Sequence, residues 1–285
     1  MRWTPGDRSN IEDYRGRSGG IGVAHLGIGG FVLLLVLSWA TGTNLFSLLG
    51  TGDISPSGGA VGTTGQAATS PAEERMVDFV DAVARDVQNA WGEILGGRYE
   101  RTTVVLFRDA INSACGFAES ATGPFYCPRD AKVYLDLGFF RELSNRFGAP
   151  GDFAQAYVIA HEFGHHVQDL LGLDAGARAD RATGAGSASV ALELQADCFA
   201  GVWGHAASQR GRFQAGGVEL EPGDAEEALR AAAAIGDDRL QKMATGRVMP
   251  DRFTHGSSAQ RVEWFRRGME TGDPRGCDAG ATLTR

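Results

Sequence analysis

The sequence predicts an α+β protein, mainly helical with a small β-sheet, whose folded domain is preceded by one transmembrane helix. Three observations carry this expectation. Apolar residues recur at helical spacing in several segments after residue 70. Only two short runs have the β-branched character of strands. An apolar stretch near the N-terminus is long enough to cross a bilayer.

That stretch comes first. From Ser18 to Gly52 the only side chain able to carry charge is His25. Leu26 to Leu49 covers the roughly 20 residues a membrane helix needs. Arg2, Arg8, Arg15 and Arg17 precede it, and the next basic residue after it is Arg75. The positive-inside rule then keeps the N-terminus in the cytoplasm and puts the chain after the span outside. A cleaved signal peptide is the competing reading, with Thr41-Gly42-Thr43 as a cleavage region. The expected organisation is a cytoplasmic segment at 1–25, a single-pass helix at 26–49, a flexible linker at 50–70 rich in Gly, Ser, Thr, Ala and Pro, and a folded domain at 71–285.

Ser70 and Pro71 suit the N-cap and first position of a helix, and Glu73 can complete a capping box. Met76, Phe79, Val83, Val87, Trp91 and Ile94 give that helix a core-facing stripe. Residues 102–107 and 133–135 read as strands, the second offering an open edge to an extended peptide. Helices follow from Asp152 to Leu171, from Ala188 to about Ser208, from Asp224 to Thr245, and from Gln260 to Met269. Four cysteines, Cys115, Cys127, Cys198 and Cys277, form no C-x-x-C pair. In an oxidising compartment they suggest two disulfides, one closing the short loop from Cys115 to Cys127 and one tying Cys277 to the helix bearing Cys198.

The net charge of −8, with no Walker-type phosphate loop, excludes nucleic acid as a partner, because phosphate recognition requires clustered Lys and Arg. The chemistry lies in His161-Glu162-Phe163-Gly164-His165. Histidines four apart on a helix share a face and can reach one metal ion, and Glu162 projects beside them as a base for a water activated by the metal. A catalytic zinc wants a third protein ligand. Glu193, in Glu193-Leu194-Gln195-Ala196-Asp197, can supply it, with Asp197 one turn on accepting a proton from a ligand histidine. Small apolar neighbours surround this acidic pair, and carboxylates in such company need partners.

The H-E-x-x-H and E-x-x-x-D combination resembles the gluzincin metallopeptidases. More strings resemble the bacterial neutral zinc metallopeptidases, a membrane-anchored group: Met1-Arg2-Trp3, Ser9 to Asp13, Gly123 to Pro128, Val133 to Asp136, Ala156 to Glu162, Glu193 to Cys198 and Thr254 to Val262. The resemblance spans nearly the whole chain except the linker and residues 211–224. It implies a zincin-like metallopeptidase domain that uses Zn2+ on a protein or peptide substrate.

Other residues compete for roles. His255, in a turn before Gly256, is a candidate catalytic donor to the oxyanion or a cap. His166 lies about 100° around the helix from His165 and suits the surface or a supporting contact. His205 reads as structural, and Tyr157 as core or as a donor behind His161. Alternatives to a peptidase are an idle zinc-binding envelope protein and a zinc amidase acting on peptidoglycan peptides. Glu162 favours an enzyme over the idle protein, which has no need of a carboxylate there.

Overall fold

The computed structural model describes residues 1–16, 69–119, 122–175, 182–209 and 217–278. The chain divides into two compact units, Met1–Arg15 with Thr69–Arg285, and Gly16–Ala68. The expected membrane helix at 26–49 and almost all of the expected linker lie outside the described residues. The first unit holds the core and the site.

Helix α1 (Pro71–Leu95) opens as its sequence suggests, with the Ser70 side chain accepting the Glu73 N–H and Pro71 in the first turn. Its apolar stripe packs against α3 (Asp152–Leu171) and α4 (Ala188–Gln209), with the Trp91 ring edge-on to Phe199 at 5.1 Å. A four-stranded sheet holds β2 (Ile11–Asp13), β3 (Thr103–Phe107), β7 (Lys132–Asp136) and β6 (Phe125–Cys127), in the order β2-β3-β7-β6. The β2-β3 and β3-β7 pairs are parallel, whereas β6 runs antiparallel to β7. Val104, Leu106, Val133 and Leu135 are fully buried, as parallel strands covered by helices require. A hairpin of β4 (Ala110–Ser113) and β5 (Gly116–Glu119) projects from the sheet. The short helix α2 (Leu137–Asn145) follows β7 directly, capped by Asp136.

The C-terminal half is helical, with β8 (Val218–Glu219), α5 (Asp224–Ala234), α6 (Asp237–Thr245) and α7 (Ser258–Thr271). The expected single helix over 224–245 is two. The break at Ile235-Gly236 turns the chain so that the Asp237 N–H donates to the Gly256 carbonyl at 2.9 Å. Helices α4 and α7 approach closely: a Cβ at Gly268 would lie 1.9 Å from the Cys198 carbonyl oxygen. Both expected disulfides are present, Cys115–Cys127 and Cys198–Cys277.

The N-terminal residues depart from the expectation of a separate segment. Strand β1 (Arg2–Trp3) pairs antiparallel with β8, and β2 forms the outer parallel strand against β3. Trp3 stacks edge-on against Phe79 of α1. Arg8 bonds Asp78 and Glu74 at 2.7 Å each, and Arg15, its side chain only 2% exposed, bonds Asp13 at 2.6 Å and Glu74 at 2.9 Å. These arginines therefore serve the fold through α1. Met1–Arg15 accordingly belongs to the same compact unit as the domain that begins at Thr69.

Cysteines placed singly at Arg2 and at Glu263, both side chains 57% exposed, should react with a membrane-impermeant maleimide from the same side of any membrane that holds the chain. Reaction from opposite sides would separate β1 from the domain.

Candidate metal centre

Helix α3 carries His161, Glu162 and His165, and α4 carries Glu193 and Asp197. The motif's interior glycine explains how the two helices meet. A Cβ on Gly164 would stand 2.9 Å from the Ala196 carbonyl oxygen, so no larger residue allows this approach. Ala196 lies between Glu193 and Asp197, so the same contact sets both carboxylates against the histidines. Phe163, on the opposite face, is fully buried in the core.

The donor atoms of His161, His165 and Glu193 lie within 4.8 Å of one another. Nε2 of His161 is 3.2 Å from Glu193 Oε2, and Nε2 of His165 is 3.5 Å from Oε1. Each ring is held from behind through Nδ1. In His161 it meets Asp197 Oδ1 at 2.8 Å, and in His165 it meets Gln168 Oε1 at 2.8 Å. Gln168 is itself fixed, its amide donating to the Leu192 carbonyl at 2.7 Å and to Gln195 Oε1 at 3.1 Å. With both Nδ1–H groups donating backwards, lone pairs on Nε2 point at a carboxylate. That arrangement calls for a cation between them. The donors also attract positive charge in the form of a proton: burial opposes protonation of His161, yet Asp197 and Glu193 push its pKa up to about 10, and a cation bound at Nε2 takes that proton's place. Two imidazole nitrogens and one carboxylate oxygen, with an open side, match the donor set of a catalytic zinc.

Asp197 is fully buried and saturated with donors. Arg261 of α7 grips it bidentately, Nε to Oδ2 at 2.8 Å and Nη2 to Oδ1 at 2.9 Å. The Tyr157 hydroxyl, one turn before His161, donates to the same Oδ1. Burial alone would raise the Asp197 carboxyl, but the charges of Arg261 and His161 outweigh it and bring its pKa to about 2.

A groove of about 690 Å³ runs across the centre. Glu162 and His255 line it together with His161, His165 and Glu193. On one flank lie Gly123 to Tyr126, which include the start of β6. The expected open edge at 133–135 is corrected here: β7 pairs on both sides, and β6 is the outer strand. Phe139, beside Gly123, together with Phe147, Val158, Ile235 and Leu240 gives the groove an apolar wall. His255 is half-exposed, its Nδ1 facing Asp237 Oδ1 at 3.3 Å. Asp237 Oδ2 accepts the successive backbone N–H groups of Thr254, His255 and Gly256 at 2.6, 2.7 and 3.1 Å. The Asp237 contact raises the pKa of His255.

The remaining histidines among the described residues, His166 and His205, lie away from the cluster. His166 is 2% exposed and turned from the groove, not at the surface. His205 donates from Nδ1 to the Met269 carbonyl at 2.9 Å, a structural link between α4 and α7. Sequence reasoning assigned no role to Gln168, Asp237 or Arg261. One signal was available for Arg261: it falls on the face of α7 that buries Phe265, and a cation in that phase needs a carboxylate.

Asp197 has a folded pKa below the ~3.9 of a free Asp, so its ionised form stabilises the fold above about pH 4 and that contribution fades as the pH falls toward about 2. Replacing Arg261 with Met should cost roughly 3–5 kcal/mol in urea unfolding at neutral pH, because it leaves a buried charge unpaired. The difference should narrow in acid; equal stability at neutral pH would contradict the pairing.

The model of the family described as "Putative neutral zinc metallopeptidase" matches residues 1–280 of this chain. The uncharacterized protein YpfJ of Escherichia coli strain K12 is 44% identical over 294 residues, covering 98% of both chains. The uncharacterized proteins Mb2605 of Mycobacterium bovis and Rv2575 of Mycobacterium tuberculosis are each 48% identical over 203 residues, covering 70% of this chain and 69% of theirs. No solved structure matches the chain. With the family model matched from the first residue through the last helix, the chain belongs to the neutral zinc metallopeptidase family.

Proposed function

We propose that this chain hydrolyses peptide bonds, with His161, His165 and Glu193 holding zinc and Glu162 acting as general base. The observation that carries the reading is the convergence of three donor atoms within 4.8 Å in a groove that Glu162 also lines. Zinc held there supplies Lewis acidity, which makes water a nucleophile near neutral pH and polarises the scissile carbonyl. Glu162 takes the proton from that water and delivers it to the leaving amine. Asp197 and Gln168 keep the histidine Nε2 atoms aimed inward. Nε2 of His255, on the ring whose other nitrogen faces Asp237, is the donor to the developing oxyanion.

The groove suits an extended peptide. The outer backbone edge of β6 can take a substrate strand by main-chain hydrogen bonds. Val158 lies one turn before His161, so the apolar wall adjoins the reacting centre and accommodates a bulky apolar side chain beside the scissile bond. Neither an idle zinc-binding role nor peptidoglycan amidase activity accounts for Glu162, the strand edge and the apolar wall together. Location belongs to the same proposal. Two disulfides suit an oxidising compartment outside the cytoplasm, and Met1–Arg15 shares that compartment.

Replacing Glu162 with Gln should leave zinc content unchanged and lower kcat by roughly 10²–10⁴, the usual contribution of a general base. Retained cleavage would remove Glu162 from the mechanism. A chelator should abolish cleavage by the wild type and added zinc should restore it; activity indifferent to chelation would exclude a zinc peptidase.

A further inference from the structure

His166 adjoins the zinc-binding face without joining it, and its contacts give it another use. The ring is buried between three elements. Its Nε2–H donates to the Glu100 carbonyl at 2.7 Å, just before β3. Its Nδ1 lies 3.1 Å from the Tyr126 hydroxyl, in the middle of β6. That hydroxyl also donates to Asp169 Oδ2 at 2.8 Å, three residues along α3 from His166. The rings of Tyr99 and Tyr126 pack against the imidazole at 5.7 and 5.3 Å. Glu100 thus fixes the ring's tautomer, leaving a lone pair on Nδ1. The single Tyr126 proton is shared between that lone pair and Asp169.

Strand β6 needs such a hold. It has three residues, and as the outer strand it pairs on one side only, with β7. Side chains alternate along it, so Tyr126 reaches toward α3 while Phe125 lies on the other face, stacked on Tyr134 at 4.8 Å. Cys127 ties its far end to the β4-β5 hairpin, which gives no reference to α3. The contacts through Tyr126 join the strand directly to the helix that carries His161, Glu162 and His165.

We infer that His166, through Tyr126, is a positioning residue that sets the distance between the substrate-binding edge of β6 and the zinc-binding face of α3. The inference rests on the peptidase reading for its kinetic consequence, but its structural content stands apart. A long substrate lying along β6 needs its scissile carbonyl in register with the centre, whereas a blocked dipeptide amide reaches the centre without the strand. His166 thereby governs recognition of extended peptides.

The test compares His166→Ala, His166→Gln and Tyr126→Phe with the wild type on a long quenched fluorescent peptide and on a blocked dipeptide amide. For His166→Ala the KM of the long peptide should rise at least about fivefold, while its kcat, the zinc content and kcat/KM for the dipeptide amide stay within about twofold. Tyr126→Phe should reproduce the rise in KM. His166→Gln, whose amide can donate to the Glu100 carbonyl, should recover part of it. An unchanged KM for the long peptide, or an equal loss on both substrates, would overturn the inference. Amide hydrogen exchange separates this outcome from failure of the peptidase reading. If the wild type cleaves neither substrate, exchange at Phe125–Cys127 should still be faster in His166→Ala and Tyr126→Phe, and equal exchange would overturn the positioning role.

Discussion

The centre depends on one buried carboxylate. Asp197 takes hydrogen bonds from His161, Tyr157 and Arg261, and so joins α3, α4 and α7 at a point where no water can substitute for a lost partner. The attraction between Asp197 and Arg261 offsets the cost of burying both, but only because every donor is in place. That requirement makes the geometry of His161 stiff. The ring cannot rotate without unsatisfying Asp197, and Asp197 cannot move without stranding Arg261.

Charge balance follows from the same arrangement. Glu193 and Glu162 bring negative charge to the groove, and Arg261 is committed to Asp197 behind the histidine. A divalent cation between His161, His165 and Glu193 therefore meets two carboxylates in the groove, with the charge of Arg261 already matched by Asp197. In the proposed mechanism the duties are separated in space: Asp197 orients, Glu193 binds, and Glu162 moves protons.

The convergence of His161, His165 and Glu193 was legible because much of its information is local. His161 and His165, then Glu193 and Asp197, are each four apart on a helix, so helical geometry puts each pair on one face, and the close approach at Gly164 makes those faces meet. The cysteine pairs were legible from their number and separation. Gln168, Asp237 and Arg261 were not, because each acquires its role from a segment remote in sequence. The packing of Met1–Arg15 with the domain was not legible for a related reason. Counting arginines beside an apolar stretch treats them as free charges, whereas Arg8 and Arg15 are matched by Glu74 and Asp78 on α1. Two- and three-residue strands such as β1 and β2 are too short to show a period at all. The single helix expected over 224–245 failed because an alanine-rich composition says nothing of a turn made to meet Gly256.

The order in which these contacts are spaced along the chain bears on biosynthesis. Strand β2 emerges early but waits for β3, its partner much later in the chain, with Ile11 in register with Val104. Asp197 waits for Arg261, and Cys198 for Cys277. The histidines are therefore made long before the residue that locks them. During translation the nascent chain carries a complete H-E-x-x-H helix without the support that aims it, and the centre is assembled only when the last helix has left the ribosome. A centre built this way stays unassembled until α7 has been made.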